Sequence, residues 1–390
     1  MSHVPPATPF KVLNVIRSYL MKMVELKGSD MHIKAGGVIR ARIQGRITPL
    51  GKDILSPANA LIFAQELLQD RFDEFVEKKE LDLVYPFDEN TRFRVNIFFQ
   101  MNGVSAVLRV IPVKILTLAE LNLPKVVYSF VEVERGLVTV TGVTGSGKST
   151  TLAAIINEIN ETKQKHIITI EDPIEFVHPD KQSLFNQRSI GQDTKSFASA
   201  LRAALREDPD IILIGEMRDM ETIEIALHAA DTGHLVFSTL HTVDAKETIN
   251  RIISAFPPLE QNRIRKTLSS ALAGVISQRL ARTVDGKRAA VLEVLVRTAR
   301  IEQLIAENCD NEIPDAIFDG KELYGSQTFD QALLDLYLEG RVSKEDALSN
   351  ATSPSDLKLR MGGLGGGVDK EAGQKGPRKF SEDEVFGLKK

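Results

Sequence analysis

Cysteine is almost absent: Cys309 is the only one in 390 residues. A single thiol excludes an intramolecular disulfide framework and any Cys-rich zinc site. Long apolar runs are missing too, since none approaches the roughly 20 residues of a membrane-spanning helix. The N-terminus, MSHVPPATPFKV, has neither the basic nor the apolar region of a secretory leader. Charge of one sign is not in excess. The formal net charge of -4 gives no support to a nucleic-acid binder. What remains is an ordinary soluble composition, 43% hydrophobic and 26% charged, long enough for two domains. A cytoplasmic location is the default expectation.

The chain changes texture near its first third. Apolar residues at helical spacing (Phe10, Leu13, Ile16, Leu20, Met23, Val24) predict a helix over 10–27. GGVIRARIQGRITPLG alternates like a strand pair turning at Gln44-Gly45, and 58–79 returns to a helical pattern. LDLVYPF, RFRVNIFFQ and VSAVLRVIP follow, with turn signals at Asp88-Glu89-Asn90 and Asn102-Gly103. Together they predict an antiparallel sheet with helices on one side, an α+β domain over 1–112. A connector, 113–124, precedes the short apolar runs LVTVT, HIITI, IILIG and LVFST, which alternate with helical segments. Such runs suit a parallel sheet covered on both faces, and the reading is an α/β domain over 125–358. From 359 the chain is rich in glycine and charge, which predicts a flexible tail over 359–390, with the short FSEDEVFGLKK end as a segment that could dock.

GVTGSGKST, 142–150, fits the phosphate-loop pattern between a strand and a helix. Glycines let backbone N–H groups approach phosphate oxygens, and the helix that follows presents its N-terminal dipole to them. Thr144, Gly145, Ser146, Gly147, Lys148, Ser149 and Thr150 are therefore the expected ATP contacts. Lys148 would reach the β and γ phosphates, and the Ser149 hydroxyl would ligate Mg2+.

Two acidic strand ends come next. IEDPIEF puts Glu171, Asp172 and Glu175 just past a strand's carboxyl end, where such sheets bind ligands, although an acidic turn cornered by Pro173 reads the same way. IILIGEMRD has Gly215 where a Walker B strand usually ends in aspartate, so Glu216 must carry the metal, directly or through water. TGHLVFSTLHT brackets a third strand with His234 and His241, structural histidines or γ-phosphate sensors, with no zinc pattern nearby.

In this order the motifs resemble those of secretion and type IV pilus hexameric ATPases. With SDMHI, 29–33, and RFRVN, 92–96, they resemble the pilus retraction ATPases, the PilT and PilU family, over roughly residues 10–358. The resemblance implies a PAS-like N-terminal domain, a RecA-like ATPase domain and a homohexamer. It also implies Glu175 as the catalytic carboxylate, Glu216 as the Walker B acid, and His234 and His241 as the histidine box. Arg92, Arg94 and Arg109 are similar to arginines that close over the nucleotide, and Arg218 and Arg251 to basic positions of the ATP site. The expected partners are an inner-membrane platform protein (PilC-like) that places the motor peripherally at that membrane, and a paralogous retraction ATPase, with no nucleic acid. Extension and type II secretion ATPases are the nearest alternative; they carry an extra N-terminal domain and usually a four-cysteine zinc element, for which this sequence has neither the length nor the cysteines. TARIEQLIAEN, 298–308, stands where PilT-type motors carry an AIR-containing motif, which leaves a primary and an accessory, PilU-like role both open.

Overall fold

The computed structural model describes residues 11–88, 91–111 and 114–363. Along the first part run α1 (Lys11–Glu25), β1 (Asp30–Lys34), β2 (Gly37–Ile43), β3 (Arg46–Leu55), α2 (Pro57–Leu68), α3 (Phe72–Lys78), β4 (Glu80–Pro86), β5 (Arg92–Gln100) and β6 (Gly103–Ile111). Next come α4 (Val126–Ser129), β7 (Gly136–Thr141), α5 (Lys148–Thr162), β8 (His166–Glu171), β9 (Leu184–Ser189), α6 (Phe197–Ala204), β10 (Ile211–Ile214), α7 (Met220–Asp231), β11 (Leu235–Leu240), α8 (Ala245–Ser254) and α9 (Pro258–Ala271). The last part holds β12 (Leu272–Arg282), β13 (Arg288–Val296), α10 (Ala299–Ala306), α11 (Ile313–Asp319), α12 (Lys321–Tyr324), α13 (Phe329–Leu338), α14 (Lys344–Asn350) and α15 (Pro354–Gly363). No helix among the described residues is long and apolar enough to cross a membrane.

The described residues form two compact units. One contains the residues up to Ile115 together with Asn160–Pro209. Its six-stranded sheet has the order β3-β2-β1-β6-β5-β4, antiparallel at every pairing. Leu13, Ile16, Leu20 and Met23 of α1 fall three or four apart and are buried, as one helix face requires. They share a core with Phe63 and Phe75 and with the inward strand residues Met31, Val95, Ile97 and Leu108. The hairpin at Gln44-Gly45 forms as its alternation predicts, with both residues at positive φ. The single helix expected over 58–79 is instead two. Gln69, at φ 48, breaks it, and a short 3-10 turn at Gln69–Arg71 leads into α3. Asp30–Ile33 of SDMHI lie in β1, a central strand of the sheet. In the same unit β8 and β9 pair in parallel, Thr169 opposite Gln187.

The other unit contains Leu116–Ile159 and the described residues from Asp210 onward. Its strands run in the order β13-β12-β7-β11-β10, parallel from β12 to β10, with β13 antiparallel at the end. Every residue of β7, β10 and β11 is buried, as sheets covered on both faces demand. Part of the expected connector is folded: Leu118 and Leu123 are buried, and the Thr117 hydroxyl and Glu120 carboxylate staple a turn. The glycine-rich stretch from 359 begins inside α15, whose Leu357 and Met361 join a core of β12, β13, α13 and α14. FSEDEVFGLKK and residues 364–390 lie outside the described residues, as do Glu89, Asn90 and Pro112.

Candidate functional site

Parallel pairing decides what meets what. Thr141 of β7 is opposite Leu240 of β11, and Ser238 of β11 is opposite Ile214 of β10. The carboxyl ends of three strands therefore open at one edge of the sheet, the edge at which α/β folds bind ligands. Gly142, Glu216 and His241 leave the sheet there.

The loop after β7 is built for an anion. Gly142 and Gly147 have φ of 143° and 90°, a region that side chains avoid. α5 begins at Lys148 and points its free N–H groups at the loop. Lys148 Nζ rests on the carbonyls of Gly142 (2.8 Å) and Val143 (3.2 Å), so the cation stays at the loop mouth. Thr144 and Gly145 are exposed, while Ser149 and Thr150 are half-buried. The Ser146 hydroxyl is buried without a hydrogen-bond partner among the described residues, and nothing stands within 4 Å of where a Gly145 Cβ would point. An orphan hydroxyl under an open, N–H-lined tip is what a phosphate would complete.

Gln278 of β12, which no sequence motif singled out, shapes this loop. Its Nε2 donates to Ser146 O at 2.7 Å, and its Oε1 accepts from Thr151 Oγ1 at 2.7 Å. One buried amide thus ties the loop to the first turn of α5. The only hint in the sequence is a glutamine inside the apolar run VISQRLA.

Beyond β10 the chain folds back on β11: Thr239 Oγ1 donates to Gly215 O at 2.6 Å, and Met217 N donates to Thr239 O at 3.3 Å. This sets Glu216 between two of the other expected residues. Arg218 lies 2.7 Å from Glu216 Oε2, and His241 Nε2 lies 3.5 Å from the same oxygen. Asp219 then caps α7 through Thr222 N, and Asp244 caps α8 through Glu247 N. No group of three or more His, Cys, Asp or Glu among the described residues could hold a metal alone. Ser149 and Glu216 suit an ion whose other ligands are water and phosphate oxygens, as magnesium prefers.

Some expected contacts are not brought together. His234 precedes β11, and its Nδ1 sits 3.1 Å from Ala229 O. A strand rises about 3.3 Å per residue, so His234 is roughly 20 Å from His241, at the opposite edge of the sheet from the phosphate loop. Arg251 lies late in α8 and lines a separate groove with Asn250, Gln261 and Arg265. Arg94 and Arg109 are cross-strand partners on β5 and β6 of the other unit. Arg109 is engaged there by Asp30 at 2.7 Å. Burial is the largest influence on Asp30 and acts upward, yet the Ser29 hydroxyl and Arg109 hold its carboxyl below the usual range.

Glu171 is not past the strand but is the last residue of β8, and Glu175 is exposed in the irregular segment that follows. Burial pushes the Glu171 carboxyl up to about 7, against the bonds it accepts from Thr169, Glu175 N and Gln187. Burial, then Lys181, pushes the neighbouring His178 down to about 4.

Residues 10–322 match the family model described as type II/IV secretion system protein. The type IV pilus retraction ATPase PilT of Pseudomonas aeruginosa is 46% identical over 333 residues, 84% of this chain and 96% of that protein. The type IV pilus ATPase PilU of the same organism is 42% identical over 345 residues, 88% of this chain and 90% of that one. Among solved structures, the pilus retraction motor PilT with bound ADP superposes with a TM-score of 0.82 at 42% identity, covering 88% of this chain and 99% of that one.

Proposed function

The chain belongs to the type II/IV secretion ATPase family, in its pilus retraction branch, and we propose that it is the cytoplasmic motor that hydrolyses ATP to withdraw type IV pili at the inner membrane. The observation that carries the reading is the meeting of Glu216, Arg218 and His241 at the strand edge from which the phosphate loop departs. Loop N–H groups and Lys148 bind and orient the triphosphate. Ser149 and Glu216 would hold a magnesium ion, whose chemistry would be to neutralise charge on the triphosphate. Arg218 and His241 fix the Glu216 carboxylate, and His241, one residue past β11 beside the loop, is placed to respond to the terminal phosphate. Glu175 polarises the attacking water, a role carried over from the resemblance and consistent with its exposed carboxylate after β8.

The arginines Arg94 and Arg109 belong to a unit other than the one that holds the loop. A ring of six chains gives them a use, with each nucleotide site completed by a neighbour's cations. Phosphoryl transfer is driven by positioned positive charge, which a second chain can supply. Force would then pass to an inner-membrane platform protein (PilC-like). The match to PilU at 42%, beside 46% for PilT, keeps an accessory motor working beside a paralogue as the second reading.

Lys148→Ala should abolish phosphate release by the purified chain; retained hydrolysis would refute the site. Deleting the gene should leave cells with excess surface pili and no twitching. Loss of pili would instead indicate an extension motor, and normal motility with reduced retraction force the accessory role.

A further inference from the structure

The segment 172–178 has no regular secondary structure, yet it carries Glu175, whose carboxylate must stand within about half an ångström of one position to orient a water. Side chains hold it. Glu175 N donates to Glu171 Oε2 at 3.3 Å. Gln187, on β9, donates from Nε2 to Phe176 O at 2.8 Å and accepts at Oε1 from His178 N, also at 2.8 Å. The same Nε2 lies 3.3 Å from Glu171 Oε1, which also accepts from Thr169 Oγ1 at 2.7 Å. The parallel register sets Gln187 opposite Thr169, two residues short of the strand end from which the loop departs.

We propose that Gln187 is a positioning residue for Glu175: with Glu171 it clamps the backbone on both sides of Phe176 and Val177, and so sets where the Glu175 carboxylate stands. The proposal rests on the reading of Glu175 as the water-polarising carboxylate. The clamp needs a donor and an acceptor on one side chain at this length, which glutamine supplies and leucine, glutamate and asparagine do not. Ile174 and Val177 line a cleft with Val84, Pro86, Ile111 and Gln187 itself, so thermal melting has to separate lost positioning from lost folding.

The test uses the full chain and Mg-ATP, with Gln187→Leu, Gln187→Glu, Glu175→Gln and the double variant Glu175→Gln/Gln187→Leu. Turnover, KM for ATP, ADP affinity by direct titration and thermal melting are measured for each. Either Gln187 variant should lower kcat about tenfold or more, with KM and ADP affinity within about twofold of the parent. In the Glu175→Gln background, Gln187→Leu should add no further loss, because nothing remains to be positioned. Unchanged kcat in both Gln187 variants overturns the proposal, as does a full additional loss in the double variant. Loss of ADP affinity and folding in both variants overturns it too, showing a purely structural role. Turnover that survives Glu175→Gln alone removes the underlying role of Glu175, and the proposal with it.

Discussion

Glu293 shows how one ionisable group can oppose the fold that contains it. It is 8% exposed on β13, and its Oε1 accepts the Ala245 N–H at 2.8 Å where α8 begins. Burial pushes its carboxyl up to about 7; Asp244 and Asp330 push the same way, while the Ala245 bond and Arg279 oppose. The folded chain therefore holds a proton that the unfolded chain has released above about pH 4.5. Its contribution is fully present below that pH and is lost as pH rises through about 7. A glutamine keeps the acceptor without the charge. Glu293→Gln should raise stability by up to about 3 kcal/mol near pH 8, with most of the gain gone near pH 5. Denaturant melts at the two pH values check this, and equal gains at both would contradict it. Gly147 makes the opposite case, a residue that tolerates nothing. A Cβ there would stand 2.8 Å from Gln278 Nε2, at a φ that side chains avoid. Gly147→Ala should weaken ADP binding by about tenfold or more and also lower the melting temperature, since the new Cβ is strained at that φ and pushes on the Gln278 amide.

At the scale of elements, β12 sits where close packing leaves least room. At Gly274 a Cβ would collide with the Phe130 ring and stand 2.9 Å from Leu295 O. Gly274→Val should destabilise the chain by about 3 kcal/mol or more, read as a lower urea midpoint at unchanged slope. The same strand explains what the sequence concealed. β7, β8, β10 and β11 read easily because continuous apolar runs have few other uses. β12 and β9 did not, because Ser277, Gln278 and Arg279 in one, and Asn186, Gln187 and Arg188 in the other, interrupt the expected pattern. Gln278 and Gln187 face inward to serve the phosphate loop and the Glu175 segment, so the residues that hide these strands also position the site. The phosphate loop, Glu216 and His241 were legible as motifs. His234 was misplaced because a motif written along one strand does not say that its two ends lie at opposite edges. The break at Gln69 was invisible because helical spacing continues across it.

For the whole molecule, the proposed supply of Arg94 and Arg109 by a neighbouring chain would make hydrolysis a property of the assembly. Specific activity should rise with protein concentration in step with ring formation. Adding Lys148→Ala chains should depress wild-type turnover more steeply than dilution accounts for. Activity falling only in proportion to the dead fraction, with full turnover in isolated chains, would argue against a shared site. The tie between Gln278 and the phosphate loop also bears on how the protein is made. The two stand 132 residues apart, and the loop leaves the ribosome first. Until β12 follows, the loop lacks the amide that joins Ser146 to the first turn of α5. A product that stops short of residue 278 therefore has a phosphate loop joined to α5 by the chain alone, without that cross-link.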